Sequence, residues 1–307
     1  MSAPQIIAGP AVIQFNGNSY YTENDIALND NPETFKVVSS IAGTIDERLI
    51  ANAIEINFKP VGALDVVAKY LPYAVTQIGS LLINQASPKA VTIWGADGIK
   101  TVWANGFISK LPAFTLAATK TAIEPMAIMC FGDPTKTLVD AAAWNTITSA
   151  ALADTTFDET KIVTPQYLAT WGAITGFVAV ESEDGFTFEV AMGLAMKKVA
   201  NWGNVNAMLT DLTVSARFKP VGPTEANLWA ARNLQGSGAV KPGMSLSTSN
   251  DLVISASPYT FTMPKAGIMR NTTQYGLTPL RHGELAFVNR KTWTGGSINA
   301  LFTVAFS

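Results

Sequence analysis

One cysteine, one histidine and a charged fraction of 14% leave little for most familiar chemistries in a chain of 307 residues. With Cys130 alone, no intrachain disulfide framework and no cysteine-rich metal site is available. A zinc site needs three or four nitrogen or sulfur ligands, and one His with one Cys falls short. No G-x-S-x-G elbow supports a serine nucleophile. A net charge of −2 argues against a strong binder of nucleic acid or anionic membranes. No apolar run approaches the ~18 residues of a membrane span. The opening MSAPQIIAGPAVIQFNG lacks a basic region and a long apolar stretch, so no secretory signal is expected. These features fit a protein made in the cytosol that stays there or is packed into a larger particle.

What the chain does have is 48% hydrophobic residues, enough for sizeable cores. Its length suggests two domains at roughly 100–200 residues each. A low-charge surface rich in Ala, Thr, Ser and Asn is of the kind that ends against other subunits.

The word FKPVG occurs twice, at Phe58-Lys59-Pro60-Val61-Gly62 and Phe218-Lys219-Pro220-Val221-Gly222, an offset of 218 − 58 = 160 residues. Each copy ends an alternating run, IANAIEINF or LTDLTVSARF, and precedes a segment with helical spacing, GALDVVAKYLPY or PTEANLWAARNLQG. Asn16-Gly17 and Asp184-Gly185 are strong hairpin signals, because a type I′ turn needs positive φ at both central residues. Gly43/Gly203 and Leu49/Leu209 also match, and Gly106 is paired with Gly267. Taking the two hairpins as equivalent makes the following loop about eight residues longer in the first half (168 against 160).

The order turn, strand, helix, strand thus occurs twice, and the chain is read as a tandem duplication. The expected fold is mainly β with minor helix: two tandem homologous β-sandwich or barrel domains, each with one short flanking helix. Residues 1–135 form the first domain, 136–165 a linker or excursion, and 166–307 the second. The repeat is too long for a solenoid, whose period is roughly 20–50 residues.

Lys59 and Lys219 admit two readings: an anion or partner contact placed twice, or simple turn chemistry set by the adjacent Pro and Gly. The second is favoured. His282 has Ala122 as its first-half counterpart and reads as a loop histidine. Cys130, after the apolar PMAIM, reads as a buried core residue. Gly236–Gly243 lacks the GK[ST] ending of a phosphate loop, and Glu181–Asp184 reads as a solvated turn. No catalytic, cofactor-binding or metal-binding residue is identified, and no enzyme is expected.

The two FKPVG words, followed by ALD and PTE, together with the hairpins at Asn16-Gly17 and Asp184-Gly185, resemble the tail tube proteins of long-tailed bacteriophages. The resemblance covers both halves except most of 133–165. It implies a small β-sandwich or barrel with one helix, six of which form a ring by joining their inner sheets. A fused pair of such domains implies a homotrimer with pseudo-sixfold symmetry, stacked into a hollow tube that conducts DNA without specific binding. It further implies a virion (tail) location after assembly in the host cytoplasm, and partners among the tail-tip initiator, tape measure and terminator proteins. No membrane contact is implied. Residues Asn31, Pro32, Glu33, Thr34, Phe35 and Lys36, within the longer first-half loop, are expected to touch an adjacent ring. Two alternatives stand beside this. One is another tail ring component of the same fold, separated from a tube by copy number. The other is a soluble two-domain carbohydrate-binding sandwich with a platform drawn from Trp94, Trp103, Trp202 and Trp229.

Overall fold

The computed structural model describes residues 11–23, 26–60, 78–84, 86–95, 98–117, 120–137, 140, 143–151, 160, 166–172, 177–200, 202–221, 250–273, 282–289, 293–294, 297–298 and 301–306. The described part is almost entirely antiparallel β-structure, with no α-helix. The two expected helices, at 62–73 and 223–236, lie outside the described residues, as do Val61, Gly62, Gly222 and Trp229.

In chain order the first half forms β1 (Ala11–Phe15), β2 (Asn18–Tyr21), β3 (Ala27–Asp30), β4 (Glu33–Ser39), β5 (Gly43–Ala51), β6 (Ile54–Phe58), β7 (Val91–Gly95), β8 (Ile99–Trp103), β9 (Asn105–Lys110), β10 (Phe114–Ala117), β11 (Lys120–Ile123), β12 (Met126–Phe131) and β13 (Thr146–Ser149). The second forms β14 (Tyr167–Trp171), β15 (Glu181–Val199), β16 (Gly203–Val221), β17 (Leu252–Ala256), β18 (Tyr259–Met263), β19 (Gly267–Thr273), β20 (His282–Asn289), the short pair β21 (Trp293–Thr294) and β22 (Ser297–Ile298), and β23 (Thr303–Phe306).

The halves repeat one arrangement. One sheet of the first has the order β13-β8-β7-β1-β2, and its counterpart is β23-β18-β17-β14. The other sheet of the first is β3-β6-β12-β9, and the run β15-β16-β20-β19 matches it. Both β3 and β4 correspond to the long β15, and β5 and β6 to the long β16. Thus β4–β5 and the outer parts of β15–β16 are matching two-stranded arms that extend from the sheets.

Register makes the match residue by residue. Val38 faces Thr44 and Lys198 faces Asn204; Thr34 faces Leu49 and Leu194 faces Leu209. The arms even bulge at equivalent places, between Glu33/Thr34 and Val37/Val38 in one and Gly193/Leu194 and Lys197/Lys198 in the other. Gly43 and Gly203 start the returning strands with φ of 70° and 65°. Bulges are specific local features, so their coincidence at a constant offset marks a duplicated backbone more sharply than the repeated word does.

Alternating burial follows from the strand period of two: Leu252, Ile254 and Ala256 point inward while Val253 and Ser255 do not. The sheets of the second half pack as a sandwich. Trp171 on β14 meets Phe287 on β20 edge-on at 5.2 Å and donates its indole N–H to the Ala266 carbonyl at 3.1 Å. One apolar core runs through both halves, from Ile13 and Phe58 to Phe261 and Leu285.

Several sequence expectations need correction. Asn16 (φ 51°) and Gly17 (φ 79°) turn β1 into β2, but Asp184-Gly185 does not turn the chain. It lies inside β15, where the register shifts between Ser182 and Phe186. A positive φ serves a bulge as well as a turn, so the dipeptide signal was ambiguous. With that hairpin removed, the supposed eight-residue length difference vanishes: β4–β5 and its counterpart are equally long. Asn31–Lys36 is therefore the root of an arm, with Asn31 and Pro32 joining β3 to β4 and Glu33 starting β4. The 136–165 segment is more than a linker, since β13 within it pairs with β8. Gly267, facing Val288, takes the place of Phe107, facing Met129, and not that of Gly106.

Candidate functional site

The features that bear on function lie where the two repeats meet. The first contact is a continuation of a sheet. β10, from the first repeat, pairs with β15 of the second at Phe114↔Phe188, Thr115↔Thr187 and Leu116↔Phe186. Its apolar side chains point into the second repeat's core. Phe114 stacks on Phe188 at 5.0 Å and leans on Phe261 at 5.2 Å, while the hydroxyls of Thr115 and Thr187 lie 3.3 Å apart on the other face. Gly185 makes the approach possible: a Cβ there would fall 2.1 Å from the Leu116 carbonyl oxygen, and its φ of 87° is left-handed.

The second contact is the docking of the outer β16. Ala207 and Leu209 pack with Leu82, Ile83, Phe107 and Phe131 of the first repeat. Main-chain bonds reinforce this: Gly79 N–H to the Leu209 carbonyl at 2.7 Å, Leu209 N–H to Ser80 at 3.1 Å, and Leu82 N–H to Ala207 at 2.8 Å. The buried Asn206 side chain accepts from Ile83 N–H at 2.9 Å and donates to the Ile83 carbonyl at 2.8 Å.

The equivalent surfaces of the first repeat are exposed and carry no partner strand among the described residues. β3, the counterpart of the β15 segment that receives β10, is an edge strand exposed along its whole length. Asn31 donates its N–H to the Ala53 carbonyl, toward β6. The alternation of a strand then turns the N–H of Asp30 and of Leu28 to the open side. Beside β3 a cavity of about 230 Å³ is lined by Leu28, Asp30, Ile54, Trp103, Phe131 and Trp144. Leu28 stands where the second repeat has Phe188, the residue capped by Phe114. β5 is exposed from Gly43 through Ile50, whereas its counterpart in β16 is largely buried. An edge strand with a long apolar arm beside it is a template for pairing with another chain.

The repeated word performs local work. Phe218 stacks on Phe287 at 5.5 Å, and Phe58 lies 6.4 Å from Tyr20, so both phenylalanines anchor the core. Pro60 bridges to Thr22 and Pro220 to Ser182, the same cross-strand pair. Lys59 bonds Glu23 at 2.5 Å, and Lys219 pairs with Asp184. That hydrogen bond and charge hold the Lys219 ammonium above its usual range. Each lysine is engaged by a neighbouring acid, Glu23 just after β2 or Asp184 within β15, which favours the turn-and-ladder reading over an anion site.

Cys130 sits on β12 in the core, and burial pushes its thiol well above the ordinary value, so it is held protonated. His282 opens β20 opposite Thr273. Among the described residues no cluster of three or more His, Cys, Asp or Glu could hold a metal. Nor does any described helix have the length and apolarity to cross a membrane. Trp94 and Trp103 are buried, so neither serves as an exposed sugar platform.

Sequence reasoning placed the repeat but missed the arms and the β10 junction. The detectable signal for the arm was the aliphatic set Ile41, Ile45, Leu49 and Ile50, of which only Ile41 fell in the stretch read as a loop. No protein-family model matches the chain, and no curated protein matches it.

Proposed function

We propose that this chain is a structural virion protein, one that assembles into trimeric, pseudo-hexameric rings stacked as the hollow tail tube of a long-tailed bacteriophage. The observation that carries the reading is the sheet continuation between repeats with its unfilled equivalent. β10 extends the second repeat's sheet at β15, and β3 offers the same edge in the first repeat with no strand paired on it among the described residues. Repeating one relation from repeat to repeat produces either a ring or a filament. A ring leaves no sheet edge open, which is how closed β assemblies avoid uncontrolled aggregation. With two repeats per chain, three copies supply six.

The low charge suits subunits that cover most of their surface with one another, and suits a lumen that passes DNA without gripping it. The arms are the elements suited to reach an adjacent ring. Ile41 at the tip of the first arm is 96% exposed, and contact through this tip replaces the loop contact expected of Asn31–Lys36. Partners would then be the other proteins of the tail.

Negative-stain electron microscopy of the concentrated protein, with two-dimensional averaging, tests the reading. Hollow rings or tubes with three-fold features support it. Particles that remain single chains, alone and with a tail-tip initiator, would refute it.

A further inference from the structure

We propose that the shaft of the first arm, β4–β5, is a docking element for a second copy of this chain, seated sideways on that copy's second repeat. The inference rests on the ring-forming reading above and assigns the arm a lateral grip within the ring, in addition to any contact made by its tip.

The two arms have one backbone and opposite surroundings. Thr34↔Leu49 and Leu194↔Leu209 are the same register pair, and Asp46 faces Val37 as Asn206 faces Lys197. Val205 and Leu209 are 3% and 1% exposed, Leu209 against Leu82 and Phe107 of the first repeat, whereas Ile45 and Leu49 at the matching positions are 62% and 55% exposed. Two aliphatic positions are therefore kept on both arms, with Glu47 standing in the place of Ala207, and they are covered on only one.

The backbone is prepared in the same way. Both the N–H and the carbonyl of Leu209 bond outward, to Ser80 and Gly79. The matching register turns the N–H and carbonyl of Leu49 away from β4. Asn206 takes the N–H of Ala207 at 2.8 Å and clasps Ile83; Asp46 takes the N–H of Glu47 at 2.9 Å, with its side chain exposed. An outward strand edge bearing an apolar stripe is the geometry of strand addition, in which main-chain bonds give affinity and side-chain sockets give specificity.

The occupant follows from the repeat. The first repeat's receiving face already holds the chain's own β16, so this chain cannot take up its first arm in the same manner. Applying the internal relation once more places that arm on the second repeat of another copy. There Gly267 stands in the position of Phe107. A membrane suits the stripe less well, because Asp46, Glu47 and Arg48 interrupt it and would be carried into hydrocarbon.

The test compares full-length wild type with Ile45→Asp/Leu49→Asp and with Leu28→Pro, by sedimentation over a range of concentrations and by hydrogen exchange of β5. The arm variant is expected to keep the wild-type thermal transition, because these side chains are exposed in the single chain. It should raise the concentration for half-assembly by at least about 100-fold, the factor for replacing two buried aliphatic side chains. In wild type, the Leu49 amide should gain protection on assembly. Assembly of the arm variant at wild-type concentrations, with Leu28→Pro blocked, would overturn the arm proposal and leave the ring reading standing. Wild type that stays a single chain would overturn both, as would arm-dependent binding of wild type to phosphatidylcholine vesicles without self-association.

Discussion

Leu49 and Leu209 occupy the same register position on two equivalent hairpins, yet Leu209 is buried against Leu82 and Phe107 while Leu49 faces solvent. On the proposed assembly, a second copy would cover Leu49 as the first repeat covers Leu209. Burial in one repeat shows what the fold can receive, and exposure in the other shows what it still offers.

Gly185 lies directly against β10, the first repeat's strand that joins the second repeat's sheet. Substitution by alanine puts a methyl group against the Leu116 carbonyl and forces a left-handed φ on an L side chain. Thermal or denaturant unfolding of Gly185→Ala is expected to show a loss of at least about 1–3 kcal/mol. An unchanged midpoint would mean that β10 is not held against β15.

Phe114 brings the largest side chain across the junction, onto Phe188 and Phe261. Phe114→Ala should destabilise the chain by about 3–5 kcal/mol, the usual range for a buried aromatic truncation. A loss below about 1 kcal/mol in chemical denaturation would contradict the shared core.

Leu28→Pro removes a backbone donor that faces the open side of β3 and is not used in the β3–β6 ladder. Proline is tolerated on an edge strand in that orientation. Unfolding of the single chain should stay within about 1 kcal/mol of wild type while assembly, followed by light scattering, is lost. Assembly at the wild-type rate would show that β3 is not a pairing edge.

Glu33 at the root of the first arm bonds Lys198 on the second at 2.5 Å, and this hydrogen bond holds its carboxyl below the usual 4.5. A carboxylate with a lowered folded-state pKa contributes stability above its unfolded value and loses it as pH falls through the folded one. The protection factor at the start of β4, taken against the intrinsic exchange rate at each pH, should therefore fall on acidification below roughly pH 4, and Lys198→Met should abolish that dependence. Both groups are exposed, so the global midpoint should move little. Identical pH profiles for wild type and variant would contradict the link.

Much of the fold could be read from the chain because periodicity and duplication are local or collinear signals. FKPVG located the repeat, Asn16-Gly17 marks the β1–β2 turn, and Cys130 reads as core from its apolar neighbours. Asp184-Gly185 misled, because its meaning depends on β10, a strand some seventy residues upstream in sequence that approaches Gly185 only in three dimensions. The arms stayed hidden for a related reason. Leu49 and Leu209 are the same letter, and only the partner surface separates a covered strand from a bare one.

The most direct test of the account is the mass and rotational symmetry of the assembled particle, measured together by mass photometry and averaged electron images. The prediction is a ring of three chains of 32.6 kDa each, with six similar lobes around a central hole. A particle with two-fold symmetry, or a single chain at every concentration tested, would contradict it.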